Sequence, residues 1–233
     1  MLARGAITAL GAWVVCLLVI ALTDEGGVAW GVKLGRSLMM APICAAIGVG
    51  LTLSAARATG ELRALAAIGR PETESALSTI TGAIAPACVL ALLALTAVID
   101  VSSFFPRSDA RKAHVRADAQ GFVDDDRGLR IDDRGVISTT PRATVAQEAS
   151  APATARLAVA LTVVLGALAF ARVASLRAGR ARRRWAVASL GAAAIAIAAF
   201  QLAASSHASP LFAPLALAVL TAALGVRYRW RHE

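Results

Sequence analysis

Charge is scarce in this sequence and gathered into islands, so few residues are placed to do chemistry. The most informative group is Gly60-Glu61-Leu62-Arg63-Ala64-Leu65-Ala66-Ala67-Ile68-Gly69-Arg70-Pro71, a short charged island between two long apolar runs. Leu, Arg and Ala favour helix, Gly69 suits a helix C-terminus, and Pro71 cannot continue a helix but can open the next. Leu62, Leu65 and Ala66 fall on one side at i, i+3, i+4, while Glu61 and Arg63 point elsewhere. Such a segment can pack on a neighbour and still present charge. Its chemistry is docking rather than bond making. It reads either as a plain connection between two spans or as an element held by a partner protein.

Reactive constellations are absent. No Gly-x-x-x-x-Gly-Lys-[Ser/Thr] occurs, and neither Lys33 nor Lys112 lies in a glycine-rich loop, so any nucleotide energy must come from another polypeptide. There is no His-Glu-x-x-His and no Gly-x-Ser-x-Gly, and His114, His207 and His232 lie far apart. We therefore assign no catalytic residue, no metal ligand and no cofactor to this chain. Cys16, Cys44 and Cys88 all fall inside apolar runs and read as packed thiols. No Asp or Glu lies deep within a predicted span, which argues against an ion-coupled carrier. Lys33 and Arg36, one turn apart at the outer end of the second helix, read as interfacial anchors or as partners of Asp24 and Glu25. The alternative is a cationic site for a lipid phosphate headgroup.

The elements that position these residues are membrane spans. The chain has 233 residues, 58% hydrophobic, 5% aromatic and 17% charged, far from a soluble average. A first span covers residues 5–23, 19 residues without charge. A second helix is expected from residue 28 to 56, kinked by Pro42, and a third span from 75 to 99 with Pro86 inside it. Residues 100–153 hold nine acids and eight bases, with two Asp-Arg-Gly turns, and predict a few short strands and a loose tether. A fourth span covers 157–176, followed by the basic cluster 177–184. Residues 185–226 are 42 uncharged positions broken by a polar turn at 205–210, which predicts a helical hairpin. The fold class is thus an all-α polytopic membrane protein with six transmembrane helices in a 3+3 arrangement. Its divisions are 1–99, with a short helix at 60–70, then a small strand-containing insert at 100–153, then 154–233.

The formal charge of +9 reflects topology rather than nucleic-acid binding, because the basic residues flank apolar runs. With a cytoplasmic N-terminus, the 57–74 island, the 172–184 cluster and the C-terminal tail all fall inside. Together with Arg4 they hold thirteen of the 24 basic residues, as the positive-inside rule requires. The insert then falls outside.

This arrangement resembles the LptF/LptG permease family, the membrane halves of a bacterial ABC machine that extracts lipopolysaccharide from the inner membrane. Three spans, an extracytoplasmic insert and three more spans is that family's topology. Its coupling helix reads roughly Glu-Leu-x-Ala-Leu-Arg-x-x-Gly, matched here at Glu61, Leu62, Ala64, Leu65 and Gly69. Pro42 followed by a small-residue span is similar to the family's second helix. Two features depart: Ala66 stands where the family has a basic residue, and the family's β-jellyroll is replaced by a much shortened insert.

The resemblance implies a permease subunit of an ABC transporter, with Glu61, Leu62, Arg63, Ala64, Leu65, Gly69 and Arg70 as its ATPase-coupling residues. It further implies a partner ATPase carrying ATP and Mg, a second permease copy or paralogue, and an amphipathic lipid substrate. An extracytoplasmic partner and a place in the bacterial inner membrane, both termini cytoplasmic, follow as well. The rival expectation is a non-transporting scaffold or accessory subunit of an envelope complex.

Overall fold

A computed structural model describes residues 1–23, 29–96, 98–101, 104–105, 115–118, 121–124, 129–132, 137–139, 153–205 and 207–229. The acidic turn at 24–27, the two Asp-Arg-Gly turns and the extreme C-terminus lie outside these residues. The chain divides into two units, residues 1–105 with 151–233, and residues 106–150.

The first unit is a helical bundle of α1 (Leu2–Thr23), α2 (Trp30–Leu38), α3 (Ala41–Ala58), α4 (Glu61–Ala67), α5 (Glu72–Leu95), α6 (Ala153–Ser175), α7 (Arg180–Ala204) and α8 (Ala213–Arg229). Five of these helices, α1, α3, α5, α6 and α7, are long and apolar enough to cross a membrane. The protein is polytopic. The sixth expected span is a shorter apolar helix, Pro210–Val226, which a 3-10 turn at Pro210–Phe212 opens. The second unit is a four-stranded antiparallel meander in the order β1 (Val115–Asp118), β2 (Gly121–Asp124), β3 (Leu129–Asp132) and β4 (Ile137–Thr139). Phe122 stands opposite Ala117 on one side and Ile131 on the other.

The helix expected from 28 to 56 is two helices. Pro42 has no N–H to offer the carbonyl of Leu38, and its ring crowds that carbonyl. The chain accordingly turns at Met39–Met40, and Pro42 enters the first turn of α3, where its missing donor costs nothing. The short α2 keeps one face buried through Gly35, Ser37 and Leu38 and exposes Trp30 and Arg36. The third span also ends earlier than expected, at Leu95, although Ile99 and Val101 beyond it remain buried.

α6 is the central helix, packed against α3, α5, α7 and α8. Its buried positions are mostly small, including Ala158, Ala167, Ala169 and Ala171, none with any exposed surface. Small residues carry the packing because, in lipid, close backbone approach replaces the hydrophobic drive. The tightest approach joins α1, α3 and α5. A Cβ on Gly82 would lie 2.0 Å from the Leu2 carbonyl oxygen, one on Gly5 2.6 Å from the Thr79 oxygen, and one on Gly48 2.8 Å from the Ala9 Cβ. Pro86 lies one turn beyond that crossing, half-buried and flanked by the buried Ala83 and Ala87, so this side of the interrupted ladder packs within the bundle. At the far end of the bundle Phe104 and Phe105 pack edge-on against Phe200, centroids 5.6 and 5.3 Å away.

Candidate functional site

The arginine-rich end of the bundle is built around α4. Gly60 stands before the helix with φ of 76°, and Gly69 follows it with φ of 83°, a left-handed conformation at both ends that glycine adopts without strain. At the C-terminus the Arg70 N–H donates to the Leu65 carbonyl at 2.9 Å and the Gly69 N–H to the Ala66 carbonyl at 3.1 Å. That pair of bonds is a Schellman closure, which satisfies the carbonyls a helix end leaves open. Pro71, in extended backbone, then leads into α5.

These closures leave a two-turn helix lying across the ends of α3 and α5, on both of which it packs. Leu62 turns into the bundle and is buried, and Leu65 is half-buried. Ala66, expected on the same side, is exposed. The reason is length: over two turns the orientation imposed by α3 and α5 decides which residues are covered, and one anchor suffices. Arg63, Ala64, Ala66, Ala67, Gly69 and Arg70 all face outward, and Ile68 is 78% exposed.

Two ionic joints hold this end together. The Arg4 guanidinium of α1 donates to the Glu61 carboxylate at 2.6 Å, tying the first helix to α4. Glu72, at the start of α5, accepts from Arg57 of α3 at 3.0 and 3.2 Å and from Arg177 between α6 and α7. Arg57 also donates to the Ser175 carbonyl at 3.3 Å. One carboxylate and one guanidinium thus join the ends of α3, α5 and α6. The Glu72 carboxylate raises the Arg177 guanidinium further above its ordinary value by accepting its hydrogen bond, so Arg177 stays charged. An exposed i,i+4 pair, Arg70 with Glu74 at 3.5 Å, adds little.

Beyond these joints lies unbalanced charge. Residues 153–232 contain no Asp or Glu. Arg180, Arg182, Arg183 and Arg184 occupy the first turns of α7, and among the described residues none of the four forms an ion pair. On α6, Arg172 donates to the Thr221 carbonyl of α8 at 3.3 Å, which places the last turns of α8 at the same end.

The candidate residues thus form one group around α4, comprising Glu61, Leu62, Arg63, Ala64, Leu65, Gly69 and Arg70, with Lys33 and Arg36 elsewhere. The latter two belong to α2, at the opposite end of α3 from α4. The Lys33 ammonium lies 5.2 Å from the Trp30 ring centroid, and the nearby backbone is fixed by the Asp100 N–H donating to the Gly31 carbonyl at 3.1 Å. Their expected partners Asp24 and Glu25 lie outside the described residues. Sequence reasoning missed Arg4, Arg57, Glu72 and Arg177. The available signal was that each flanks an apolar run at the same predicted end. It also missed that Cys16 and Cys44 bring their sulfurs within 3.9 Å, with both thiols unbridged.

Compared with family models, with curated proteins and with solved structures, the chain finds no match in any of the three. What the fold defines is the class: a polytopic membrane protein whose arginine-rich end presents a short, doubly capped helix outside the long spans.

Proposed function

We propose that this protein is the permease subunit of an ABC transporter of the LptF/LptG type, moving or extracting an amphipathic lipid with energy from a separate ATPase. The observation that carries the reading is α4. It is rigidly closed by Gly60 and Gly69, anchored by Leu62, and exposes Ala64, Ala67 and Ile68. A small apolar surface rimmed by Arg63 and Arg70 suits a groove on a partner protein better than it suits water.

The ionic joints give α4 something to push. A displacement of α4 pulls on Arg4 of α1 through Glu61, and Glu72 links the adjoining end of α5 to α3 and α6. The stroke therefore reaches four long helices, and six apolar helices in a 3+3 arrangement would surround the lipid path with those of a second permease copy or paralogue. In this reading α4 faces the cytoplasm of a bacterium, as the basic residues at its end require, and ATP and Mg reside on the ATPase.

The test is co-purification of the detergent-solubilised complex. Ile68→Glu is expected to remove the ATPase while leaving the permease folded, since residue 68 is 78% exposed. An ATPase retained at the wild-type ratio in that variant, or absent from the wild-type complex, refutes the proposal. The small meander of the second unit favours one other reading, an accessory subunit that recruits an extracytoplasmic partner. That reading predicts an intact complex with no ATPase in it.

A further inference from the structure

α7 packs against α6 and α8 and turns its other side outward. Arg180, Arg183, Arg184, Val187, Gly191 and Ala194 follow one another at three- and four-residue steps and are all exposed, whereas Ser189, Ala192 and Ala196 are buried. Val187 is 70% exposed, and nothing lies within 4 Å of a Cβ placed on Gly191, so no described helix covers this face there. Its charge is concentrated at one end. Of the 25 residues of α7, the first five include four arginines and the other 20 carry no charge. At 1.5 Å per residue those 20 span about 30 Å, the thickness of the hydrocarbon core. Arg180, Arg183 and Arg184 therefore stand at headgroup level, on the side turned to lipid.

For a helix start, this charge has the wrong sign. The N-terminus is the positive end of the macrodipole and favours acids. α4 and α5, which begin at the same end of the bundle, comply with Glu61 and with Glu72 and Glu74. α7 follows Gly179 with no side-chain cap and no acid in its first turn. Its four arginines form no ion pair among the described residues, and residues 153–232 offer no carboxylate. The counter-charge comes from outside the chain. Charge complementarity and depth together select its source: guanidiniums at headgroup level above a lipid-facing apolar surface meet phospholipid phosphates, with the acyl chains running down beside Val187 and Gly191. We infer that the outward face of α7 is an anionic-lipid surface, which gathers phospholipids of net negative headgroup around Arg180, Arg183 and Arg184. The inference is independent of ATPase docking: a chain with no ATPase partner would still gather the lipid.

The test uses the purified full chain reconstituted in phosphatidylcholine vesicles, with spin-labelled lipids reporting the fraction immobilised on the protein. At low salt, labelled phosphatidylglycerol is expected to associate at least about threefold more strongly than labelled phosphatidylcholine. Added salt should shrink that preference. Arg183→Gln with Arg184→Gln should lose most of it, and Arg183→Lys with Arg184→Lys should keep it. Arg63→Gln with Arg70→Gln, which removes the same charge from α4, should leave most of it in place. Equal association of the two lipids with the wild-type protein overturns the inference and leaves the arginines to an acidic protein partner. So does a loss in the α4 variant as large as in the α7 variant, which would mark the charge of the whole end rather than one face of α7. Inorganic phosphate should weaken the preference only as chloride does at the same ionic strength. Phosphate that abolishes it where chloride does not would mark a free-anion site and also overturn the inference.

Discussion

Gly82→Ala puts two physical arguments in direct opposition. Helix propensity alone favours alanine by about 1 kcal/mol at an interior helical position. The packing says otherwise, because the added methyl carbon would stand 2.0 Å from the Leu2 carbonyl oxygen and 3.1 Å from the Leu2 Cα. Carbon and carbonyl oxygen rest at roughly 3.3 Å or more, so α1 must retreat by over about 1 Å. No rotamer change can relieve the clash, since the obstructing atoms are backbone. Retreat also loosens the Gly48 contact with Ala9 and the 2.6 Å bond from Arg4 to Glu61. Overpacking of this kind costs about 1 to 3 kcal/mol, which outweighs the propensity gain. The assay is thermal unfolding in detergent, with Gly11→Ala and Gly50→Ala as controls in α1 and α3, where an added methyl meets nothing within 4 Å. The expected order is Gly82→Ala below wild type and both controls at or above it. Gly82→Ala as stable as Gly50→Ala would refute the three-helix crossing.

Four further outcomes follow from the same geometry. Gly60→Ala and Gly69→Ala meet no neighbouring atoms but force φ values of 76° and 83° on a side chain. Each should cost about 1 kcal/mol in unfolding, with correspondingly weaker ATPase co-purification if α4 docks. Glu72→Ala should lower Tm clearly more than Glu74→Ala: the first carboxylate joins Arg57 and Arg177, whereas the second holds one exposed pair worth roughly 0.3 to 0.5 kcal/mol. A mild oxidant should cross-link Cys16 to Cys44, whose sulfurs lie 3.9 Å apart, and leave Cys88 unpaired, as read by mass spectrometry of the digested protein. Gly5→Ala, whose methyl carbon would lie 2.6 Å from the Thr79 oxygen, should slow that cross-link by shifting α1.

The spans and the island between α3 and α5 were legible in the sequence because both depend on local pattern. Long uncharged runs must bury their backbone hydrogen bonds in helices, and Gly60, Gly69 and Pro71 punctuate the island unambiguously. Pro42 announced a disturbance, but a kink and a full break look alike without knowing what α2 packs against. The glycines divide in a way no local pattern could give. Gly5, Gly48 and Gly82 mark backbone crossings, whereas Gly11 and Gly50, in the same two spans as the first pair, face open space. The joint from Glu72 to Arg177 links residues 105 positions apart, and only the packing of α6 beside α3 and α5 brings them together.

Docking of the exposed face of α4 on an ATPase can be read in the cell with a photoreactive amino acid at position 68. Illuminated in native membranes during growth, the probe at 68 should form an adduct with a polypeptide bearing a nucleotide-binding P-loop, while a probe at the exposed Val219 of α8 should not. An adduct with lipid alone at position 68, or with the same protein from both positions, would contradict the account.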